Sequence, residues 1–584
     1  MDQCVLNVYE ALKDASGRPR VRRETIESWA DEIKMRPKYD PGLLEKEMVE
    51  RGRQRIHDAY IRRRNTALSI QARGSMLNYI INRFDGDPVK GMIAFLRGVQ
   101  SGEEGSRRSV YAHQRNISGA YASRLSTKLK RAGLEKDAMS GDFSDQISME
   151  IADLESKKPT GKATGNKKAA AIARIIYDEQ QYARKRANAA GADIGELEGY
   201  FMAQTHDMFR VRKVDRDTWV DTVLTRLDKE RTFGDANISD LDARNILGRI
   251  YADFASGAHM KVDYKPPQLA NGRRGSNVGS ALSSERFLHF KDVKSSLEYN
   301  KMFGRSDNIL ENVFYSMDNL AKKTALMEML GPNPEATIDW VVANLDNRYK
   351  SESAHINQDK ANALKAKRKQ VDNIMRVLDG SSSIPANDMV AMYSQIFRQV
   401  QSMAKLGGAA ITAVVDVAVA ASELRYQGNS ALSSYHRSIT GGFGSVPAAR
   451  RKELSAMTGV YAQAALNTLT EKYSGFDDVG TLSGISGKMS RATNTFFKAT
   501  GLSWWTDRMR INMSLAMSAR LGEISGKPWS KIDPDLQRVL GLFDIGEQDW
   551  SVISKAIDKE GDYKFITPEG VMALDDSVIA TTHP

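Results

Sequence analysis

Apolar positions recur at three- and four-residue spacing in almost every informative stretch of the chain and hardly ever alternate, which predicts an all-α protein. Asp40-Pro41 marks the start of one helix, running through LLEKEMVERGRQRIHDAYIRRRN, with proline in the first turn, where its missing N–H costs nothing. A second helix, within GSRRSVYAHQRNISGAYASRLSTKLKRAG, ends near Gly133 with lysines and arginines in its last turns, as the helix dipole favours. A third, AAAIARIIYDEQQYARKRAN, is alanine-rich and driven by propensity. From Glu311 to Leu330 the residues Val313, Met317, Leu320, Ala321, Thr324 and Met327 form one stripe, closed by Gly331-Pro332, and Pro334 opens the next helix. Met389, Tyr393, Ile396, Val400 and Met403 form another stripe. Trp505, Met509, Met513, Met517 and Leu521, spaced by four, predict a core-facing methionine stripe.

The sharpest contrast is Leu406 to Ala421, LGGAAITAVVDVAVAA, in which only Thr412 and Asp416 are polar. A membrane-spanning helix needs roughly 20 apolar residues, so this run falls short and carries a carboxylate near its middle. Two readings stay open: a helix buried on all sides in a soluble core, or a segment buried in one state that enters a bilayer in another. In the second, Leu406, Gly407, Gly408, Ile411, Val415 and Asp416 are the candidate membrane or oligomer contacts, with small residues permitting close helix approach.

Two polar tracts divide the chain. Residues 156–170, beginning SKKPTGKATGNKK, are basic and contain Gly and Pro, which predicts a mobile linker or loop; residues 265–285, KPPQLANGRRGSNVGSALSSE, predict a second linker, where the Asn271-Gly272 turn signal could carry a short hairpin but the flanks hardly alternate, which favours a loop. The resulting organisation is a basic N-terminal helical region (1–155), a helical region at 171–264, another at 286–380, and a C-terminal region at 385–584 holding the apolar run. Little β structure is expected.

Composition adds three things. The net charge of +11 favours polyanionic partners such as nucleic acid or an anionic lipid surface. A lone Cys4 excludes an internal disulfide framework and a zinc finger. The 24 methionines and only 15 prolines suit long helices with adaptable packing. The first residues contain acids and no uninterrupted apolar stretch, so a cleaved secretory signal is not expected.

Catalytic signatures are missing. No two of the eight histidines stand at i, i+4, so a metal site on a helical histidine pair is not expected. Neither Gly161–Lys168 nor Gly484–Met489 has phosphate-loop spacing, and there is no Gly-x-Ser-x-Gly elbow. Glu27-Ser28 is similar to the start of a lytic transglycosylase motif, but no Gly-Leu-Met-Gln follows, and Glu27 reads as a solvated helix residue. The chain is therefore expected to be non-catalytic and to need no cofactor.

Charge and polar pattern single out two groups. Arg51, Arg53, Arg55, Arg62, Arg63 and Arg64 crowd one helix and are candidate nucleic-acid contacts, although their spacing cannot place all six on one face. Gln204, His206, Asp207 and Trp219 fall in GYFMAQTHDMFRVRKVDRDTWVDTVLTRLDKERTFGD. Adjacent helical residues do not face each other, so His206 and Asp207 make a poor acid–base dyad. The favoured reading is a loop-and-cap motif in which Asp207 or Thr205 satisfies backbone donors at a helix start.

That segment, together with the stretch from RFLHFKD at Arg286 through Phe303-Gly304 to ALMEMLGPNPEAT, and with MAKLGGAAITAVVDV, GLSWWTDRMR and KPWSKIDPDLQRVLGLFDIGEQDW, resembles the internal virion, or DNA-ejection, proteins of short-tailed phages and related prophages. The resemblance implies a predominantly helical protein packaged in the capsid, expelled ahead of the genome, and refolded or assembled across the host envelope. Its implied partners are other ejection proteins, portal or tail components, double-stranded DNA, the host membrane and further copies of itself. Two alternatives stand beside it: a nucleic-acid-binding phage accessory protein, and a non-catalytic fragment of a larger virion enzyme.

Overall fold

The computed structural model describes residues 3–14, 16–35, 42–98, 109–156, 163–194, 206–233, 237–256, 288–304, 306–351, 366–379, 502–541, 545–560 and 563–567, with a few isolated positions between them. Leu406, Gly407, Gly408, Ile411, Val415 and Asp416, and Gln204, Thr205 and the 265–285 tract, lie outside the described residues. The described residues form an all-α protein with one two-stranded sheet.

Helices α1 (Gln3–Ala11) and α2 (Arg23–Lys34) pack on the first turns of α3 (Leu44–Phe84). Val5, Val8, Leu12, Val21, Ile26, Ala30, Ile33, Leu44 and Met48 make their small core. Gly52 completes it, since a Cβ there would collide with Leu12. Helix α3 starts at Leu44, three residues later than the Pro41 signal, because Asp40 Oδ1 accepts from the Gly42 N–H (2.8 Å) in a turn ahead of it. It then runs 41 residues, or about 60 Å at 1.5 Å per residue. Its buried residues fall at two ends: Leu44, Met48 and Gly52, then Ala72, Met76, Ile80 and Phe84. No side chain between them is buried, so the helix bridges two cores.

Asp87 caps α4 (Pro88–Arg97) by accepting from the Lys90 N–H, with Pro88 at the first position. Then follow α5 (Val110–Arg131), α6 (Glu135–Ser140), α7 (Ser144–Leu154) and α8 (Lys167–Ala189). The tract before α8 is held in its described part. Buried Glu150 on α7 accepts from the Ala163 N–H (3.1 Å), the Thr164 N–H (2.7 Å) and Thr164 Oγ1 (2.6 Å), and Asp153 accepts from the Thr160 N–H (2.9 Å). Asn166 then caps α8.

A smaller unit comprises α9 (Met208–Arg212), α10 (Arg216–Leu224), α11 (Lys229–Phe233), α12 (Asp240–Ser256) and α13 (Val293–Phe303), packed around Trp219, Leu247, Phe254 and Tyr299. Helix α14 (Ile309–Leu330) serves two cores. Its first half packs Val313, Phe314 and Met317 against Tyr121, Leu125, Ile151 and Ile176 of α5, α7 and α8. Its last turn packs Leu326 and Leu330 with Met76, Ile80, Met92 and Phe95, joined by α15 (Pro334–Ser351) and α16 (Arg368–Leu378). Packing thus crosses the boundaries drawn from the polar tracts: residues 309–378 complete cores begun before residue 155.

Near the C-terminus, α17 (Leu502–Ile524), α18 (Pro534–Gly541) and α19 (Glu547–Ile553) precede an antiparallel hairpin of β1 (Ile557–Glu560) and β2 (Tyr563–Ile566), in the register Ile557 to Ile566. Of the methionine stripe of α17, the side chains of Trp505 and Met509 lie outside the described residues, Met513 is half-buried, Met517 is 39% exposed and Leu521 packs on the C-terminal core. Leu515, Ala516, Ala519 and Gly522 are buried, and strand β2 lies so close at Gly522 that a Cβ there would meet its backbone. Among the described residues no helix is long and apolar enough to cross a membrane.

Candidate polyanion interface

The six arginines of α3 separate by local geometry. At roughly 100° per residue, Arg51, Arg55 and Arg62 fall within about 40° of one another, Arg63 about 100° round from Arg62, and Arg53 and Arg64 on the opposite face. Arg51 is spent on an ion pair with Glu32 (3.0 Å). Arg55 lies over the Trp29 ring, 5.9 Å from its centroid. Arg64 donates to the Ala192 carbonyl (2.5 Å), and nearby His57 pairs with Asp193 (2.8 Å), tying the middle of α3 to the turn after α8. Arg53, Arg62 and Arg63 are exposed and make no ion pair within the described residues.

A second arginine group, passed over in the sequence because no helical period marks it, lies on the turn between α1 and α2. Arg18, Arg20 and Arg22 are exposed and Arg23 is half-buried. Asp14 Oδ1 closes this turn, accepting from the Ser16 N–H (2.9 Å), the Ser16 hydroxyl (2.7 Å) and the Arg18 N–H (3.0 Å). The Ser16 hydroxyl bond, then that from the Arg18 amide, hold its carboxyl below the usual range. The Arg20 N–H donates to the Leu12 carbonyl (3.3 Å), and Val21 is buried in the core below. Arg20 pairs with Asp14 and Arg23 with Glu27, each at 3.0 Å. Glu27, the residue similar to a lyase acid, is thus a surface partner of an arginine.

The 206–219 group is an interior. Asp207 Oδ1 accepts from the Arg210 N–H (2.9 Å) at the start of α9, and its own N–H donates to the Phe303 carbonyl (2.8 Å). His206 Nδ1 lies 2.8 Å from Tyr299 Oη, and its ring stacks on Phe254 at 3.8 Å. Trp219 is fully buried, edge-on to Phe254 and Tyr299. Burial pushes the Tyr299 hydroxyl well above the normal phenol range. His206 and Asp207 point to different partners, so this group clamps α9 to α12 and α13.

The strongest buried electrostatics join α5, α8 and α14. Burial pushes the Glu328 carboxyl up, but hydrogen bonds from His113 and Arg186 and the guanidinium charge outweigh it, holding it at about 2. An ionised carboxylate only accepts, so His113 Nε2 carries the proton in its 2.6 Å bond, while Arg186 donates at 2.8 and 3.1 Å. One helical stretch away, Glu179 is fully buried between Arg124 (2.7 Å) and Lys128, and the Arg124 guanidinium stacks on Tyr182. Each acid in this seam is engaged by cations from neighbouring helices. Among the described residues no three His, Cys, Asp or Glu side chains converge as metal ligands. The chain matches no known family model, no curated protein and no solved structure.

Proposed function

We propose that this chain is a non-catalytic internal virion protein of the ejection class, packaged with double-stranded DNA and delivered with the genome across the host envelope. The observation that carries the reading is the exposed set of arginines, Arg53, Arg62 and Arg63, which make no ion pair among the described residues, on a helix whose middle buries no side chain. Such cations sit comfortably beside packed DNA, where neutralising phosphates releases counterions. The sequence resemblance supplies the class, and the helical fold is compatible with it. Other ejection proteins, portal or tail components and further copies of the chain are the proposed partners, and the 406–421 run the proposed point of contact with a host membrane.

The same arginines favour a second reading, a DNA-binding accessory protein acting inside the infected cell. Mass spectrometry of purified particles, before and after DNA release, separates the two. The ejection reading expects the chain in full particles and its loss from emptied ones; a chain confined to the infected-cell lysate overturns it in favour of the second.

A further inference from the structure

We propose that the 16–23 turn and the Arg55–Arg62 face of α3 form one composite surface that binds the phosphate backbone of duplex DNA without sequence preference. It rests on the reading of the chain as DNA-associated and assigns that contact to the N-terminal module.

Two neighbouring pairs set the register of α2 against α3. Glu32 meets Arg51, and Trp29 meets Arg55, so the helices run antiparallel. Seven residues further, about 10.5 Å at 1.5 Å per residue, α2 has reached Arg22 and α3 has reached Arg62. Leu12 packing on Gly52 places the chain entering the turn on the same stretch of α3. Arg62 shares the face of Arg51 and Arg55, but α2 begins only at Arg23, so no helix covers it. This explains why Arg51 and Arg55 have partners on α2 and Arg62 has none. Arg18, Arg20, Arg22 and Arg62 therefore converge where α2 starts.

The acids in this neighbourhood engage only some of the arginines. Asp14 is occupied by the turn's own donors and Arg20, and Glu27 pairs with Arg23, while Asp58, one turn before Arg62 and bonded to the neutral Gln54 amide (2.7 Å), keeps its charge. Glu24 is left exposed on the far side of Arg23 in sequence. Arg18, Arg22 and Arg62 make no ion pair among the described residues. The turn is held by Asp14 and by buried Val21, so presenting its guanidinium groups costs little further ordering.

The chemistry favours phosphate over a bilayer. Guanidinium groups match phosphate oxygens in a forked geometry. An interfacial binder needs an apolar face to bury, whereas the turn's exposed residues are Ser16, Gly17, Arg18, Pro19, Arg20 and Arg22. The exposed Tyr60 lies on the opposite side of α3 from Arg51 and Arg62.

The test measures binding of the full chain to a short mixed-sequence duplex between about 0.05 and 0.2 M salt, where each neutralised phosphate contributes about −0.9 to the log–log slope. The variant R18Q/R22Q/R62Q is expected to flatten the slope by about 2–3 and weaken binding at least about tenfold at 0.1 M salt, equally for unrelated sequences. K136Q, an exposed lysine on α6 outside the N-terminal module, is expected to leave the slope nearly unchanged, and Arg62→Lys to retain it. All three replaced arginines are exposed, and an unchanged thermal melt verifies that the triple variant is folded. An unchanged slope in the triple variant, or an equal loss in K136Q, overturns the assignment. So does binding to phosphatidylserine vesicles without duplex binding. The two readings fail separately: absence from virions defeats the ejection class and leaves the duplex titration standing.

Discussion

Glu328 shows how one residue can couple three helices. Its carboxyl lies at about 2 in the folded chain against about 4.3 unfolded, so it stabilises the fold fully above the unfolded value. That contribution, on the order of 3 kcal/mol, is lost as pH falls from about 4.5 towards 2. Glu328→Gln should flatten the loss of stability over this acid window. At neutral pH it should cost about 3–5 kcal/mol, because Arg186 keeps a buried charge without its counterion. Chemical denaturation at several pH values measures both. Gly522 tests a different force. Its missing Cβ is where the Lys564 carbonyl and Phe565 amide of strand β2 lie, and backbone cannot swing aside as a side chain does. Gly522→Ala should therefore destabilise the C-terminal hairpin by about 1–3 kcal/mol, seen as faster amide exchange at 557–566.

At the scale of elements, the loop before α8 is held to α7 by side chains, a buried acid foremost. Glu150 satisfies two backbone amides and a hydroxyl of Ala163 and Thr164, while Asp153 holds Thr160 and Gln146 accepts from Asn166. Glu150→Ala should cost about 1–3 kcal/mol and expose the lysines of this tract to trypsin sooner, as limited digestion followed by mass spectrometry would show. Cleavage at an unchanged rate would mean that Asp153 and the Asn166 cap suffice. Helix α3 makes the complementary case, an element whose continuity does not rest on burial. Its middle keeps helical hydrogen bonds through propensity and a few polar ties, Arg64 to Ala192 and His57 to Asp193 among them.

At the scale of the molecule, that middle stretch separates an N-terminal core, built from residues 5–48, from cores assembled around α14. Amides at 57–68 should exchange faster than those at 76–84, since local opening there exposes no buried apolar side chain. Uniform protection along α3 would show that the two ends unfold as one unit. The all-helical class, the α14 stripe with its Gly331 stop, and the proline that opens α15 were legible in residue spacing, because helix periodicity and end signals act within a few residues. Half of the arginine group was legible too: the sequence shows that six arginines share a helix, and spacing shows that they cannot share a face. Which of them stay free depends on Glu32, Trp29 and Ala192, contributed by other segments. The basic turn at 16–23 has no period to mark it, and its prominence comes from Asp14 and Val21 holding it against the core. Met517 of α17 differs for the same reason: an apolar stripe identifies a face able to be buried, while the approach of strand β2 fixed Gly522 beside it. Local propensity and periodicity are properties of the chain alone; the partner of each charge and the burial of each face are set by segments far away in sequence, and only the tertiary structure brings these together.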